Sequence, residues 1–132
     1  MSEQLIKQMP NQIYLNEIIQ LFFTLQLSNK LYHWNTSSFS RHKATDKLDT
    51  QLSKIIDNFI EVFIGRYNIK PQVNLINLNP CFLTDLGIVT LFEKSVKYLD
   101  KMDKQINNSE LLSIRDDLVI EINTILYLFK LN

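Results

Sequence analysis

The stretch that decides how this chain folds runs over residues 31–46, LYHWNTSSFSRHKATD. It holds both histidines of the protein, His33 and His42, its one tryptophan, Trp34, and Asp46 one helical turn beyond the second histidine. At its centre Asn35, Thr36, Ser37 and Ser38 form a cluster suited to ending one helix and capping the next. Upstream, after Pro10 and Asn11, the residues Ile13, Ile18, Phe22, Leu25 and Leu31 recur at helical steps. Downstream, from about residue 40 to 67, Leu48, Leu52, Ile55, Phe59 and Phe63 make an apolar seam. A tight turn here would return His33, on the last turn of the first helix, towards the same edge as His42.

Working outward, the segment after Lys70, PQVNLINLNP, carries no charge and alternates apolar and polar residues from Val73 to Leu78. One short strand would have nothing to pair with, so an extended crossover is expected there. Asn79 and Pro80 suit an N-cap followed by proline in the first helical position. A third helix is then expected to carry Leu83, Leu86, Val89, Leu91, Phe92, Val96 and Leu99, ending near Asn107 and Asn108. Ser109 suits the cap of a fourth, with Leu112, Leu118, Ile122, Ile125, Leu126 and Phe129 facing inward. Two short connections around one long one predict an all-α, ferritin-like four-helix bundle with a crossover between helices 2 and 3, as one domain over residues 1–132. The simple up-down bundle is the competing topology.

Composition narrows the chemistry. With 132 residues, one domain with a real core is expected. Fourteen basic residues balance fourteen acidic ones, so no field favours nucleic acid or an anionic membrane, and neither is an expected partner. Two glycines, Gly65 and Gly87, cannot build a phosphate-cradling glycine loop. One cysteine, Cys81, excludes an internal disulfide and a thiolate zinc site, and reads as an inert thiol. The first residues, MSEQLIKQMPNQ, lack an apolar signal region and no run is long enough to span a bilayer, so a soluble intracellular protein is expected. Abundant asparagine and isoleucine, with Ala44 the sole alanine, suggest an AT-rich gene, as in some large DNA viruses; a viral or host-cell cytoplasm would suit it.

The polar face of the second helix carries the candidate site. His42, Asp46, Asp57 and Glu61 stand at offsets 0, 4, 15 and 19, and at ~100° per residue they share one stripe of the wheel, away from the seam. Such a stripe is commonly a solvated face. Here both pairs have the i,i+4 spacing that sets two ligands beside one ion, and imidazole with carboxylate suits iron or manganese. The acids Asp100, Asp103, Asp116, Asp117 and Glu121 lie among cationic residues and are expected to be solvated. Tyr32 and Trp34 read as packing aromatics.

The motifs LQLSNKLYHWNT and FSRH, with the spacing H-x3-D-x10-D-x3-E, resemble the Dps-type miniferritins, DNA-binding proteins from starved cells. The motif match covers roughly residues 20–66, and the helix order extends it to the whole chain. The resemblance implies a metal site shared across a two-fold axis, with His33, His42 and Asp46 from one subunit, Asp57 and Glu61 from its partner, and Trp34 flanking it. It also implies a homo-oligomer, a dimer at least and a dodecamer in that family. Iron would be oxidised from Fe(II) by peroxide or oxygen, for iron sequestration and oxidative-stress protection. The same ligand set also serves manganese or zinc. From a different class, the alternative is a non-catalytic helical interaction or scaffold protein with a degenerate metal site.

Overall fold

The computed structural model describes residues 10–72 and 84–131. Four helices make up nearly all of them: α1 Gln12–Asn35, α2 Phe39–Tyr67, α3 Asp85–Asp100 and α4 Ser109–Lys130, with a 3-10 turn, Lys101–Lys104, after α3. The predicted strand or crossover over Val73–Leu78, Asn79 and Pro80, Cys81, and the N-terminal nine residues lie outside the described residues.

The α1–α2 turn forms as its composition dictates. Thr36 ends α1, its N–H bonding the Tyr32 carbonyl, and Ser38 caps α2 by accepting from the Arg41 N–H at 3.2 Å. Helix α2 ends at Asn68, a left-handed residue (φ 54°) whose N–H satisfies the Ile64 carbonyl. Asparagine tolerates that conformation better than other non-glycine residues.

Topology follows from which ends meet. Near the end of α1, Tyr32 Oη donates to Asp85 Oδ1 at the start of α3 (2.6 Å). At the start of α2, Arg41 Nη2 donates to the Phe129 carbonyl at the end of α4 (3.0 Å). Opposite, Tyr14 of α1 shares a cavity with Tyr98 near the end of α3. Helix α1 therefore packs against α2 and α3, and α4 against the same two. All these neighbours are antiparallel, and α2 and α3 stand on a diagonal. Helix α2 ends at the far end of the bundle from where α3 begins, so the two run parallel. That is the ferritin-like arrangement; the up-down bundle, with α2 beside α3, is excluded.

The core fills the axis with Leu15, Ile18, Phe22, Leu25, Leu52, Phe59, Phe63, Ile88, Phe92, Leu118 and Ile122, all essentially buried. Phe22 and Phe59 meet edge to face, with centroids 5.3 Å apart. Several expectations shift here. Ile13 and Leu86 are exposed, Leu31 and Ile55 are only partly covered, and Leu15, Ile56 and Leu111 take the inner positions. Helix α1 is apolar on several faces, so spacing alone could not choose which face turned inward. Helix α3 begins behind Thr84, whose Oγ1 accepts from Gly87 N–H, and ends at Asp100 rather than near Asn107. Asn108, not Ser109, caps α4, because its Oδ1 reaches the Leu111 N–H at 3.0 Å.

Two arginines tie the ends. Arg41 also donates to Tyr32 Oη (3.1 Å), and its guanidinium lies 4.3 Å from the Phe129 ring centroid. Arg115, only 8% exposed, donates to the Leu99 carbonyl and pairs with Asp103 and Asp116. Those two acids were expected to be merely solvated. Burial disfavours the charged guanidinium, but the hydrogen bonds and charges of Asp103 and Asp116 outweigh it and raise its pKa.

Candidate metal centre

The closed end of the hairpin brings both histidines together. His33, on the last turn of α1, is buried, while His42, on the first turn of α2, is exposed. Their rings stack with centroids 3.9 Å apart and planes 16° from parallel. Each ring bonds the other residue's backbone: His33 Nδ1 to the His42 carbonyl (2.8 Å), and His42 Nδ1 to the His33 carbonyl (2.9 Å). A carbonyl oxygen only accepts, so both Nδ1 atoms must carry hydrogen. In the neutral form that leaves the lone pair on Nε2, the arrangement in which a backbone carbonyl orients an imidazole for a metal.

A second layer supports the pair, and sequence reasoning missed it. Thr45 Oγ1 lies 3.0 Å from His33 Nδ1 and donates to the Arg41 carbonyl (2.8 Å). Asn29, fully buried, donates through Nδ2 to the Thr45 carbonyl (2.9 Å). The signal was available, since Asn29 is one turn before His33 and Thr45 one turn after Arg41, both on inward faces. Polar residues on an inward face seldom persist unpaired.

The remaining predicted ligands lie along α2. Asp46, Asp57 and Glu61 are all exposed. Eleven residues separate Asp46 from Asp57, about 16 Å along a helix, so one chain cannot fold its acidic end onto its histidine end. Accordingly, no three His, Cys, Asp or Glu side chains within the chain come together around one point among the described residues. The structure unites His33 with His42 and leaves Asp57 and Glu61 apart from them.

Trp34 is not a packing aromatic. Its side chain is 66% exposed beside the histidines, with Lys30 Nζ 5.8 Å from its ring centroid, whereas Tyr32 is fully buried. Lys30 also reaches across to Asp49 on α2 (3.0 Å). Beside Asp57 an apolar groove of about 370 Å³ opens between α1 and α2, lined by Ile19, Phe22, Phe23, Ile56, Ile60 and Pro71.

Tyrosines supply the clearest electrostatic signature. Burial, with the charge of Glu17 second, pushes the Tyr98 phenol up to about 12. Burial also drives Tyr14 well above the ordinary phenol range, and raises Tyr32 and Tyr67. An unfolded chain ionises its tyrosines near 10. The stability these groups contribute is therefore complete below about pH 10 and drains away as pH climbs towards 12 and above. Absorbance titration at the phenolate band should show delayed ionisation in the folded protein, with unfolding midpoints falling steeply across that window.

A four-helix bundle of ferritin-like topology with a histidine pair at its hairpin end is thus the class that fold and site define. A family model described as a family of unknown function (DUF5856) matches residues 33–129, and the chain belongs to that family. No curated protein and no solved structure matches it. Among the described residues, no helix is long and apolar enough to cross a membrane.

Proposed function

We propose that this protein is a Dps-related miniferritin that takes up Fe(II) between two copies of the chain and oxidises it. The observation that carries this reading is the stacked pair of His33 and His42, whose Nδ1 atoms both donate to backbone carbonyls and so leave Nε2 as the lone-pair nitrogen of each neutral ring, with Asp46 one turn further along α2. Carboxylates supply the negative charge that favours the ferric ion, and Asp57 and Glu61 of a second copy would complete the set.

Register supports the second copy. Across the hairpin His33 lies opposite His42, and Phe22 opposite Phe59. A two-fold axis that brings His42 of one copy to Asp57 and Glu61 of the other must cross α2 about halfway, near Thr50 and Gln51. The same operation carries Trp34 to the level of Phe22 and Ile60, where the apolar groove beside Asp57 lies.

Iron is the substrate here. Two Fe(II) ions give one electron each to hydrogen peroxide, whose O–O bond breaks to form two waters with two protons from solvent. The chain's own groups bind and hold: neutral His33 and His42, oriented by carbonyls, and the ionised acids. Because imidazole must be neutral to ligate, iron affinity falls on acidification. The same donors would also hold manganese or zinc.

The test is iron titration followed by absorbance, together with particle size in solution. The expected result is a dimer or a larger multiple, such as a dodecamer, that oxidises Fe(II) faster than the His42→Ala/Asp57→Ala variant does. Trp34 emission should shift to shorter wavelength on assembly, and Ile60→Glu should prevent that shift. Equal oxidation rates in the two proteins would end the ferroxidase reading.

A non-catalytic interaction or scaffold protein is the second reading. It is favoured by an apolar groove of about 580 Å³ between the start of α2 and the end of α4, where Phe39, Leu128 and Leu131 are exposed beside Lys43 and Lys47. Protein purified without chelator would then carry no metal despite being folded.

A further inference from the structure

At the end of the bundle away from the histidines, Tyr14, Glu17, Tyr98, Lys101, Lys104 and Gln105 line an open surface cavity of about 380 Å³. We propose that this cavity binds a small oxyanion that still carries a proton, with inorganic hydrogen phosphate as the fitting ligand. The proposal is independent of the iron site.

The local backbone places the cations. Helix α3 stops at Asp100, and the chain continues as a 3-10 turn over Lys101–Lys104. In that geometry residues i and i+3 eclipse one another, so Lys101 and Lys104 stand in one row and both reach the cavity. A continued α-helix would have rotated them apart by about 60°. Gln105 adds a neutral amide, and Tyr14 and Tyr98 add phenols. Tyr98 Oη is shielded from solvent and makes no hydrogen bond of ordinary length, its phenol facing the Glu17 carboxylate. Both phenols are protonated at neutral pH and able to donate.

Glu17 decides which anion fits. Its carboxylate, on the same wall, repels a fully deprotonated oxyanion but accepts a hydrogen bond from one bearing an O–H. Two lysines against one glutamate leave the cavity with net positive charge. Hydrogen phosphate presents acceptors to the lysines and a proton to Glu17, while sulfate at the same pH has no proton to give. A site built around a ligand's O–H discriminates against the analogue that lacks it.

Calorimetric titration of the whole protein with sodium phosphate and, separately, sodium sulfate at neutral pH tests this. Phosphate should bind about tenfold or more tightly than sulfate. Glu17→Gln should erase the preference by admitting sulfate, and Lys101→Ala/Lys104→Ala should weaken both anions. Glu17, Lys101 and Lys104 are exposed, so these variants keep the fold, which circular dichroism verifies. Absence of phosphate binding, equal binding of the two anions by the unaltered chain, or a preference that survives Glu17→Gln would each overturn the proposal.

Discussion

Mixing two inactive variants should restore iron oxidation. His42→Ala removes an imidazole from its own chain and leaves Asp57 and Glu61 intact, while Asp57→Ala does the reverse. In the proposed two-fold arrangement each centre draws His33, His42 and Asp46 from one copy and the acids from the other. Each variant alone has every centre broken. After subunit exchange, a mixed dimer has one complete centre and one doubly damaged one. With half of the dimers mixed, about a quarter of the native centres return. Rates on mixing, measured at a fixed total protein concentration, distinguish this from a site held within one chain, where no mixture recovers anything. The effect is large because losing a ligand from a mixed imidazole and carboxylate set removes both charge and geometry at once.

Cutting the arginine anchors should cost more stability than any change on the polar face of α2. Arg115→Ala leaves the Leu99 carbonyl at the end of α3 with only the Lys101 N–H and releases Asp103 and Asp116. Both acids are largely solvated, so their share is modest, and the loss comes mainly from the buried carbonyl and the packed side chain. We expect about 3 kcal/mol, with a melting temperature lower by roughly 10 °C for a chain of this size. Arg115→Lys should recover little of it, since an ammonium cannot serve the carbonyl and the acids in the same directions. Arg41→Ala should behave alike at the other end, where Phe129 loses its carbonyl partner and its stacked cation. Thermal unfolding followed by circular dichroism reads both. A loss below about 1 kcal/mol for Arg115→Ala would reduce these contacts to surface pairs.

The candidate centre was legible unevenly. His33, His42 and the acids could be picked out because they are few and regularly spaced. Their mutual geometry could not, since the stack depends on a three-residue turn closing one helix against another. Asn29 and Thr45 share the helical register of His33 and Arg41, but a single polar residue in an apolar stretch does not by itself name its partner. Trp34 reads as a packing aromatic by its type and as flanking the site by resemblance, and its exposure is a matter of which side of the last turn faces the partner helix.

Local sequence determined the all-α class, the hairpin turn at Thr36–Ser38 and the seam of α2, because caps and 3.6-residue spacing act within a few neighbouring residues. Which of several apolar faces of α1 turned inward, where α3 gave way to a 3-10 turn, and how Arg41 and Arg115 joined distant helix ends were decided by tertiary packing. Those outcomes depend on contacts between residues as far apart as Arg41 and Phe129, whose energies exist only once the four helices share one core.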